Sequence, residues 1–323
     1  MHPFTVRTMM KRSFAQITAP ALARSARMQP AAQSRVLAGP LVNAFSTAAP
    51  LTSSGQDTPG AAFTTPSPVS KFKYAVRTEQ PMWENPIPHQ VYDLEQIAHI
   101  EKTHHEPEKL HEKAALVAVK ALRTGFDIMS GYRGPGGAMT ERDWLNRCLF
   151  LETVAGVPGM VAGMVRHLRS LRAMRRDYGW IHTLLEEAEN ERMHLLIFMN
   201  MKQPGWFFRL TVLGAQGVFF NAFFFTYLVS PRTCHRFVGY LEEEAVKTYT
   251  GLLQDIEDGH VDAWKNTQAP LIARDYYKLP DSAQVVDMIK CIRADEANHR
   301  DVNHAFAGLD QKNDVNPFLH GHH

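Results

Sequence analysis

The pattern Glu-x-x-His occurs at five places in the sequence. The pairs are Glu101/His104, Glu108/His111, Glu191/His194, Glu257/His260 and Glu296/His299. On a helix, residues three positions apart lie on one face, so each pair could hold one metal ion from two sides. One such pair is weak evidence, because glutamate and histidine are also common on solvated helix faces. The surroundings of each pair therefore decide which pairs are candidate metal ligands.

Two of the five pairs adjoin strongly apolar segments. Glu191/His194 is followed by the apolar residues 195–199, and Glu296/His299 follows a stretch rich in Val, Ile and Met. The other three pairs lie in highly charged stretches or at an expected helix end, so we expect them to be solvated. The core of a helical bundle should lie at the two apolar pairs.

Each of these two pairs is preceded by a segment that carries carboxylates in otherwise apolar surroundings. Glu152 precedes the first pair, and a run of three glutamates, Glu242, Glu243 and Glu244, precedes the second. The chain therefore repeats one unit, a helix with a core glutamate followed by a helix with Glu-x-x-His. Helical geometry alone does not decide which glutamate of the run faces the core.

This doubled unit predicts a metal centre. An ionised carboxylate that is buried without a partner is costly, so Glu152 is hard to explain without a ligand. Four carboxylates and two imidazoles from four helices are the ligand set of a di-iron or di-manganese bundle. Such a mixture of oxygen and nitrogen ligands favours iron or manganese over zinc, and iron suits oxygen chemistry. The alternative is a bundle whose buried glutamates and histidines pair only with one another.

Apolar residues recur at helical spacing through most of the chain after residue 106, and no segment alternates as a strand would. The fold class is therefore all-α. Proline and glycine breaks separate the periodic segments and predict turns between them. The six predicted helices cover residues 107–135, 140–176, 180–202, 206–229, 232–257 and 283–308.

Residues 211–230 carry no charge, include six aromatic side chains and are about as long as a bilayer span. A single span would place the helices before and after it in different compartments, although both should contribute to one metal site. The first helix has an apolar side, and the second has a basic end formed by Arg166, Arg169, Arg172, Arg175 and Arg176. Both features suit attachment to one leaflet with anionic headgroups, which we expect. A true span and a buried core helix are the alternatives.

The first part of the chain differs in composition from the rest. Residues 1–56 contain no acidic residue but six lysines and arginines among Ala, Ser, Thr and Met, as is typical of a mitochondrial transit peptide. A basic tail retained in the mature protein is the alternative. We expect a transit peptide at residues 1–60, an extended N-terminal arm at 61–106, a helical domain at 107–310 and a tail at 311–323.

Charge and cysteine content exclude several classes of partner. The net charge is +2 over 323 residues, and the excess of positive charge lies in the first segment, so no nucleic acid is implied. The three cysteines, Cys148, Cys234 and Cys291, are widely spaced in apolar surroundings. They predict neither a disulfide framework nor a zinc site.

Four motifs in this order resemble those of the alternative oxidases, and the resemblance extends from about residue 120 to residue 318. The motifs are Leu151-Glu152-Thr153, Asn190-Glu191-Arg192-Met193-His194-Leu195, Leu241-Glu242-Glu243-Glu244-Ala245, and Arg293-Ala294-Asp295-Glu296 followed by His299. The resemblance implies a ferritin-like four-helix di-iron bundle with two additional membrane-associated helices. It also implies two iron ions per chain, held by Glu152, Glu191, His194, Glu242, Glu296 and His299.

The activity implied by the resemblance is that of a ubiquinol:oxygen oxidoreductase. Such an enzyme reduces oxygen to water at a non-haem di-iron centre, pumps no protons and bypasses the cytochrome pathway. The family is homodimeric and is bound to the matrix face of the mitochondrial inner membrane. The chain carries no cysteine before Cys148, so the thiol-based regulation of the plant enzymes should be absent. Tyr276-Tyr277 departs from the Tyr-Trp of many relatives.

Further site residues are implied by the same resemblance. Tyr249 matches a tyrosine beside the metal pair that is often proposed to be redox-active; a satisfied core tyrosine is the alternative. Asn190, His235 and Asp295 match residues that orient the ligands through hydrogen bonds. The implied quinol-binding residues are Arg123, Asp127, Arg147, Cys148, Leu151, Glu244, Ala245 and Thr248. Without the family, Arg147 would be interpreted as a surface side chain that snorkels.

Three rival functions are compatible with part of the pattern. A di-iron quinone hydroxylase would insert oxygen into its substrate. A ferritin-like iron-binding protein would lack a quinol site, and a structural membrane bundle would bind no iron.

Overall fold

The computed structural model describes residues 89–136 and 139–318 of the chain. These residues form seven α-helices and no β-strand, so the all-α prediction is confirmed. The helices are α1 (Leu110–Ser130), α2 (Glu141–Ala173), α3 (Trp180–Met201), α4 (Trp206–Val229), α5 (Pro231–Glu257), α6 (Leu271–Tyr277) and α7 (Val285–Gly308). The predicted transit peptide, the beginning of the predicted arm and the end of the predicted tail lie outside the described residues.

The six predicted helices are all present, but the prediction missed α6. This helix has only seven residues, too few to show a helical period in the sequence. Two predicted helices were also too long. Helix α1 ends before Gly131, and α2 ends before Met174, because both of these residues adopt the left-handed conformation that terminates a helix.

Four helices form the central bundle. Helix α2 packs along α3, α5 packs along α7, and the two pairs meet at the acidic side chains described below. The other two long helices lie outside: α1 packs on α5, and α4 packs on α2 and α5. The expected four-helix bundle with two additional helices is therefore the observed arrangement.

Helices α2 and α3 approach each other closely at glycines of α2. A Cβ atom built on Gly159 would lie 2.6 Å from the Leu184 carbonyl oxygen, and one on Gly156 would lie 3.6 Å from the Cβ of Glu191. A side chain at position 159 would push the helices apart, whereas a methyl group at position 156 would only make ordinary contact. The glycines therefore allow the carboxylates of α2 and α3 to reach one site.

Helix α4 contributes little to the core. Of its residues only Phe223 and Tyr227 are buried, whereas Leu213 and Phe225 are more than half exposed. By length and composition, α4 and α2 are the two described helices that could cross a membrane. Helix α2 is a bundle helix, however, with the charged side chains of Arg147 and Glu152 buried in the protein.

The close approach of α2 and α3 can be tested with one methyl group. Gly159→Ala should lower the free energy of unfolding by about 1–3 kcal/mol, because the new Cβ collides with backbone. The matched change Gly125→Ala in α1 meets no atom within 4 Å. It should be neutral or stabilise by up to about 1 kcal/mol through helix propensity. Urea unfolding followed by circular dichroism measures the free energy of unfolding of both variants. Equal changes would show that the close approach of α2 and α3 does not determine the effect of Gly159→Ala.

Candidate metal centre

Six side chains from the four bundle helices converge in the interior. Glu152 comes from α2, Glu191 and His194 from α3, Glu242 from α5, and Glu296 and His299 from α7. All six residues are buried, with exposed fractions between 0% and 8%. The spacing of three within each Glu-x-x-His pair places both members on the inner face of α3 and of α7.

The six side chains form two overlapping groups of possible ligands. Glu152, Glu191, His194 and Glu296 form the first group, which we call group A. Glu191, Glu242, Glu296 and His299 form the second, group B. Within each group, ligand atoms lie within 4.8 Å of one another. Glu191 and Glu296 belong to both groups, so their carboxylates could contribute to holding an ion in either one.

The histidines face the carboxylates through their Nδ1 atoms. His194 Nδ1 lies 3.3 Å from Glu152 Oε2 and 3.4 Å from Glu296 Oε1. His299 Nδ1 lies 2.9 Å from Glu191 Oε1 and 3.7 Å from Glu296 Oε2. Group A therefore contains the imidazole of His194, and group B contains that of His299.

Several buried polar atoms in these groups lack a hydrogen-bond partner among the described residues. They are Glu152 Oε2, both oxygens of Glu191, His194 Nδ1, Glu296 Oε2 and His299 Nδ1. His299 Nδ1 is close to Glu191 without the geometry of a hydrogen bond. Buried polar atoms normally find partners, and unpaired carboxylate oxygens are especially costly. A pair of divalent cations would satisfy all of these atoms, so the residues present fit a di-metal centre.

The electrostatics of the cluster support the same interpretation. Burial, together with the charges of Glu191 and Glu296, raises the pKa of Glu152 to about 8. Burial and the same neighbours raise the pKa of Glu242 well above its ordinary value. Burial also opposes ionisation of Glu191, but the two adjacent histidines, His194 and His299, outweigh it and lower the pKa. Carboxylates that repel one another in this way are stabilised by a cation between them.

Tyr249 of α5 lies directly beside group A. Its hydroxyl donates a hydrogen bond to Glu152 Oε1, and its ring stacks on Phe198 with centroids 6.3 Å apart. Burial and the charge of Glu152 raise the pKa of Tyr249 well above its ordinary value, so the phenol keeps its proton. The tyrosine is therefore a neutral hydrogen-bond donor held on a candidate ligand.

Two of the three residues expected to orient the ligands lie next to them. His194 Nε2 lies 3.0 Å from Asp295 Oδ2, and Asn190 donates to the same oxygen over 3.1 Å. His235 is one residue further out. Its ring hydrogen-bonds to Asn303, which donates to the carbonyl oxygen of His299.

The residues expected to bind quinol form a charged network between α1, α2 and α5. Arg123 donates to Asp127 over 2.7 Å, to Glu244 over 3.1 Å and to Thr248 over 2.9 Å. Arg147 donates to Asp127 over 2.5 Å. Cys148, Leu151 and Ala245 lie beside this network on α2 and α5. The interpretation of Arg147 as a snorkelling surface residue is wrong: it is 1% exposed and stacks over Phe126 and Tyr132.

Sequence reasoning missed several residues around the centre. Glu187 lies one helical turn before Glu191, and Asn303 lies one turn after His299; the two are joined by a hydrogen bond of 2.8 Å. Continuing the inner face of each helix by one turn would have found both. His89, which contacts Asp295, lies in the arm and carried no such signal.

The remaining Glu-x-x-His pairs are not part of the centre. Glu101, His104, Glu108, Glu257 and His260 are exposed, and His111 is half-buried at the start of α1. The prediction that these pairs are solvated is confirmed. Arg166 is an exception to the expected basic end of α2, because it is buried on Trp180 and paired with Asp177.

Comparisons with known proteins identify relatives over most of the described residues. A family model described as "Alternative oxidase" matches residues 92–308. The mitochondrial alternative oxidase of Emericella nidulans is 55% identical over 239 residues, which cover 71% of this chain and 68% of the relative. That of Venturia inaequalis is 55% identical over 247 residues, 72% of this chain and 68% of the relative. That of Cryptococcus neoformans is 51% identical over 248 residues, 71% of this chain and 62% of the relative.

The raised pKa values predict how stability depends on pH. Glu152 and Glu242 have folded-state pKa values above their unfolded values, so stability present at low pH is lost as the pH rises. For Glu152 the loss runs from its unfolded value near 4.5 to about 8. Each such group lowers the free energy of unfolding by up to about 1.4 kcal/mol per pH unit over its range. The melting temperature of the metal-free protein should therefore fall between pH 6 and pH 8.

Ferrous iron added without oxygen should stabilise the protein more at pH 8 than at pH 6, because metal binding requires deprotonated ligands. Differential scanning calorimetry measures both dependences. As a control, Glu152→Gln removes one titrating group, so the melting temperature of the metal-free variant should fall less steeply with pH. A metal-free melting temperature that rises over this range would contradict the analysis.

Proposed function

This chain belongs to the alternative oxidase family, and we propose that it oxidises ubiquinol and reduces oxygen to water at a centre of two iron ions. Membership makes it an oxidoreductase of the cyanide-insensitive type. The observation that carries the finer proposal is the buried pair of groups A and B, which share two carboxylates and adjoin a charged network. Two quinols would be oxidised for each oxygen molecule, and their four electrons and four protons would appear in two waters.

The six clustered residues would hold the iron. Group A would bind one ion through Glu152 and His194, group B the other through Glu242 and His299, and Glu191 and Glu296 would bridge. When bound, the iron pair supplies the redox chemistry that oxygen reduction requires. The protein supplies a buried pocket in which the four helices hold the ligands before the metal arrives.

The charged network provides what oxidation of a quinol requires. A quinol headgroup needs donors and acceptors for its hydroxyl groups and a base for the protons that it loses. Arg123 and Thr248 can bind the headgroup oxygens, and the carboxylates of Asp127 and Glu244 are within reach as proton acceptors. Apolar walls for the ring and tail come from Leu151 and its neighbours. Arg147 and Cys148 lie about one helical turn before Glu152 on α2, so this pocket adjoins group A.

Tyr249 is assigned as the catalytic residue between the pocket and the centre. Its hydroxyl hydrogen is directed at Glu152 Oε1. A tyrosine held in this way can give up an electron together with that proton without leaving a buried charge uncompensated. The neutral phenol described above is the form that such a step requires.

The apolar outer surface supports attachment to one leaflet of the inner membrane. Leu122 and Met129 of α1 and Leu213 and Phe225 of α4 are all more than half exposed. Helix α4 is level with the metal centre, since Gln216 donates to the carbonyl oxygen of Thr153, the residue after Glu152. A spanning α4 would therefore pull the whole polar bundle into the bilayer, which is prohibitively costly.

The remaining features of the proposal follow from this placement. An enzyme on one leaflet has no path across the membrane, so it would pump no protons. Arg169, Arg172, Arg175 and Arg176 are exposed at the end of α2, where they can contact anionic headgroups. Met160, Leu171 and Leu185 expose apolar surface on α2 and α3, which suits a homodimer interface. The mitochondrial names of the relatives support a mitochondrial location. The proposal adds that the enzyme faces the matrix and carries a transit peptide at residues 1–60.

The proposed activity predicts cyanide-resistant oxygen uptake by the purified protein with a short-chain ubiquinol. Glu191→Ala removes a carboxylate shared by both groups and should reduce the rate at least about 100-fold and the iron content well below two per chain. The matched change Glu186→Ala lies on the same helix at a partly exposed position and should leave both near the parent values. An oxygen electrode and metal analysis give the two readouts.

Other results would select a rival function. A hydroxylated quinone as the main product would indicate a quinone hydroxylase. Iron far above two per chain without quinol-dependent uptake would indicate a storage protein. A protein that binds no iron would contradict the metal centre itself.

Attachment to one leaflet predicts that acidic residues on α4 weaken membrane binding. Each large apolar side chain buried in lipid contributes about 1.5–3 kcal/mol, so Leu213→Glu with Phe225→Glu should lower the partition coefficient at least tenfold. Flotation with vesicles of phosphatidylcholine and cardiolipin measures it. Leu271→Glu, at an exposed apolar residue of α6 outside the proposed attachment surface, is the control and should have no effect. Equal binding by all three proteins would exclude α4 as the attachment surface.

A further inference from the structure

Five donors surround the buried carboxylate of Asp295, and two of them come from the N-terminal arm. Asn190, His194 and Tyr277 face Oδ2 from inside the bundle, at 3.1, 3.0 and 2.8 Å. His89 Nε2 lies 2.9 Å from Oδ1, and the Tyr92 hydroxyl donates to the same oxygen. The arm therefore supplies both hydrogen bonds to the outer oxygen of Asp295.

Asp295 connects these contacts to a candidate ligand. His194 points Nδ1 at group A and Nε2 at Asp295 Oδ2. A partner at Nε2 places the ring proton there and leaves the Nδ1 lone pair free for a metal ion. Hydrogen bonds that fix the plane of the Asp295 carboxylate therefore also fix the orientation of the His194 ring.

The two arm residues are themselves firmly placed. The ring of His89 has a polar neighbour at both ends, because Nδ1 lies 2.7 Å from the Gln90 carbonyl oxygen. It also packs on Tyr276, with centroids 4.6 Å apart. Asn298 donates to the Tyr92 oxygen over 2.8 Å, which leaves the Tyr92 proton directed at Asp295. Gln90 and Tyr276 therefore fix the His89 ring, and Asn298 fixes the direction of the Tyr92 hydroxyl hydrogen.

The arm does not depend on these two contacts for its docking. Arg293 donates to the carbonyl oxygens of Ile97 and Ala98 over 2.9 Å each. Arg300 donates to the carbonyl oxygen of Glu101 over 2.9 Å, and the side chain of Ile97 is buried. Substitutions at His89 or Tyr92 should therefore leave the rest of the arm on α7.

We propose that His89 and Tyr92 are positioning residues of the metal centre, which act through Asp295 on His194 and so on the ion of group A alone. The inference rests on the proposed di-metal centre. Without the two arm donors, Oδ1 of Asp295 turns toward water or toward other donors, and Asn190 and Tyr277 are left to hold the carboxylate against His194 Nε2. His299 belongs to group B and lies on the other side of the shared carboxylates, so the ion of group B keeps its imidazole. The mature protein must accordingly retain residues 89–92.

The test is the release of iron from fully loaded protein to a ferrous chelator in the absence of oxygen. In Tyr92→Phe and in His89→Ala, one of the two irons should leave about three- to tenfold faster, and the other at the parent rate. This effect is smaller than the 10–100-fold that loss of a direct partner of a ligand typically costs. His89→Gln keeps an N–H donor and should restore most of the parent rate. His99→Ala, an exposed histidine on the same arm, is the matched control and should match the parent.

The outcomes separate this inference from the proposed function. If the parent holds two irons and the variants release both at parent rates, the arm has no positioning role. Equal acceleration of both irons, with a lower melting temperature of the metal-free protein, would mean general loosening and would also overturn the inference. A parent that binds no iron would overturn the proposed function and this inference with it.

Discussion

The repulsion among four buried carboxylates is the constraint on which the rest of the structure depends. Glu152, Glu191, Glu242 and Glu296 are buried together, and in the described part of the chain two imidazoles belong to their groups. Without a cation, such a cluster opposes folding, as the raised pKa values of Glu152 and Glu242 show. The fold tolerates the cluster because the apolar packing of four helices surrounds it. The repulsion that destabilises the empty site is the source of its affinity for metal ions.

Close helix packing and hydrogen bonding then give the cluster its shape. Glycines on α2 bring its backbone against α3, so that Glu152 reaches the pair on α3. Outside the ligands, polar residues restrict how each ligand can turn. Asp295 holds His194 from one side, and Tyr249 holds Glu152 from another. A redox centre benefits from such restriction, because ligands that are already oriented lose little entropy when the metal binds.

The outer helices connect this centre to its surroundings. Helix α1 carries Arg123 and Asp127 toward the pocket on one side and apolar residues toward the outside on the other. Helix α4 is mostly exposed and apolar, yet it is level with the turn of α2 that carries Glu152. One apolar surface therefore lies close to the charged network of Arg123, Asp127 and Arg147. This is the arrangement required by a substrate whose tail is soluble in lipid and whose headgroup must meet a buried polar site.

The sequence by itself determined the all-α class, the long helices and the inner faces of α3 and α7. These properties are local: a spacing of three or four residues defines a helix face, and a run of apolar residues shows which way the face points. The apolar or charged surroundings of each pair also separated the two buried Glu-x-x-His pairs from the three solvated ones. Residue spacing did not decide among Glu242, Glu243 and Glu244. Adjacent residues on a helix point in different directions, and the apolar period of this segment allows more than one of the three to face the core. The family resemblance selected Glu242, the glutamate of this run that lies among the clustered ligands.

Only the tertiary structure decided the remainder. It buried Arg147 between α1 and α2 and Arg166 on Trp180, although both had the sequence surroundings of surface residues. It also brought His89 and Tyr92 to Asp295, across 206 and 203 positions of the chain. Contacts over such distances leave no local period in the sequence. They depend on how complete helices pack, and therefore on the summed burial of many side chains rather than on the spacing of a few.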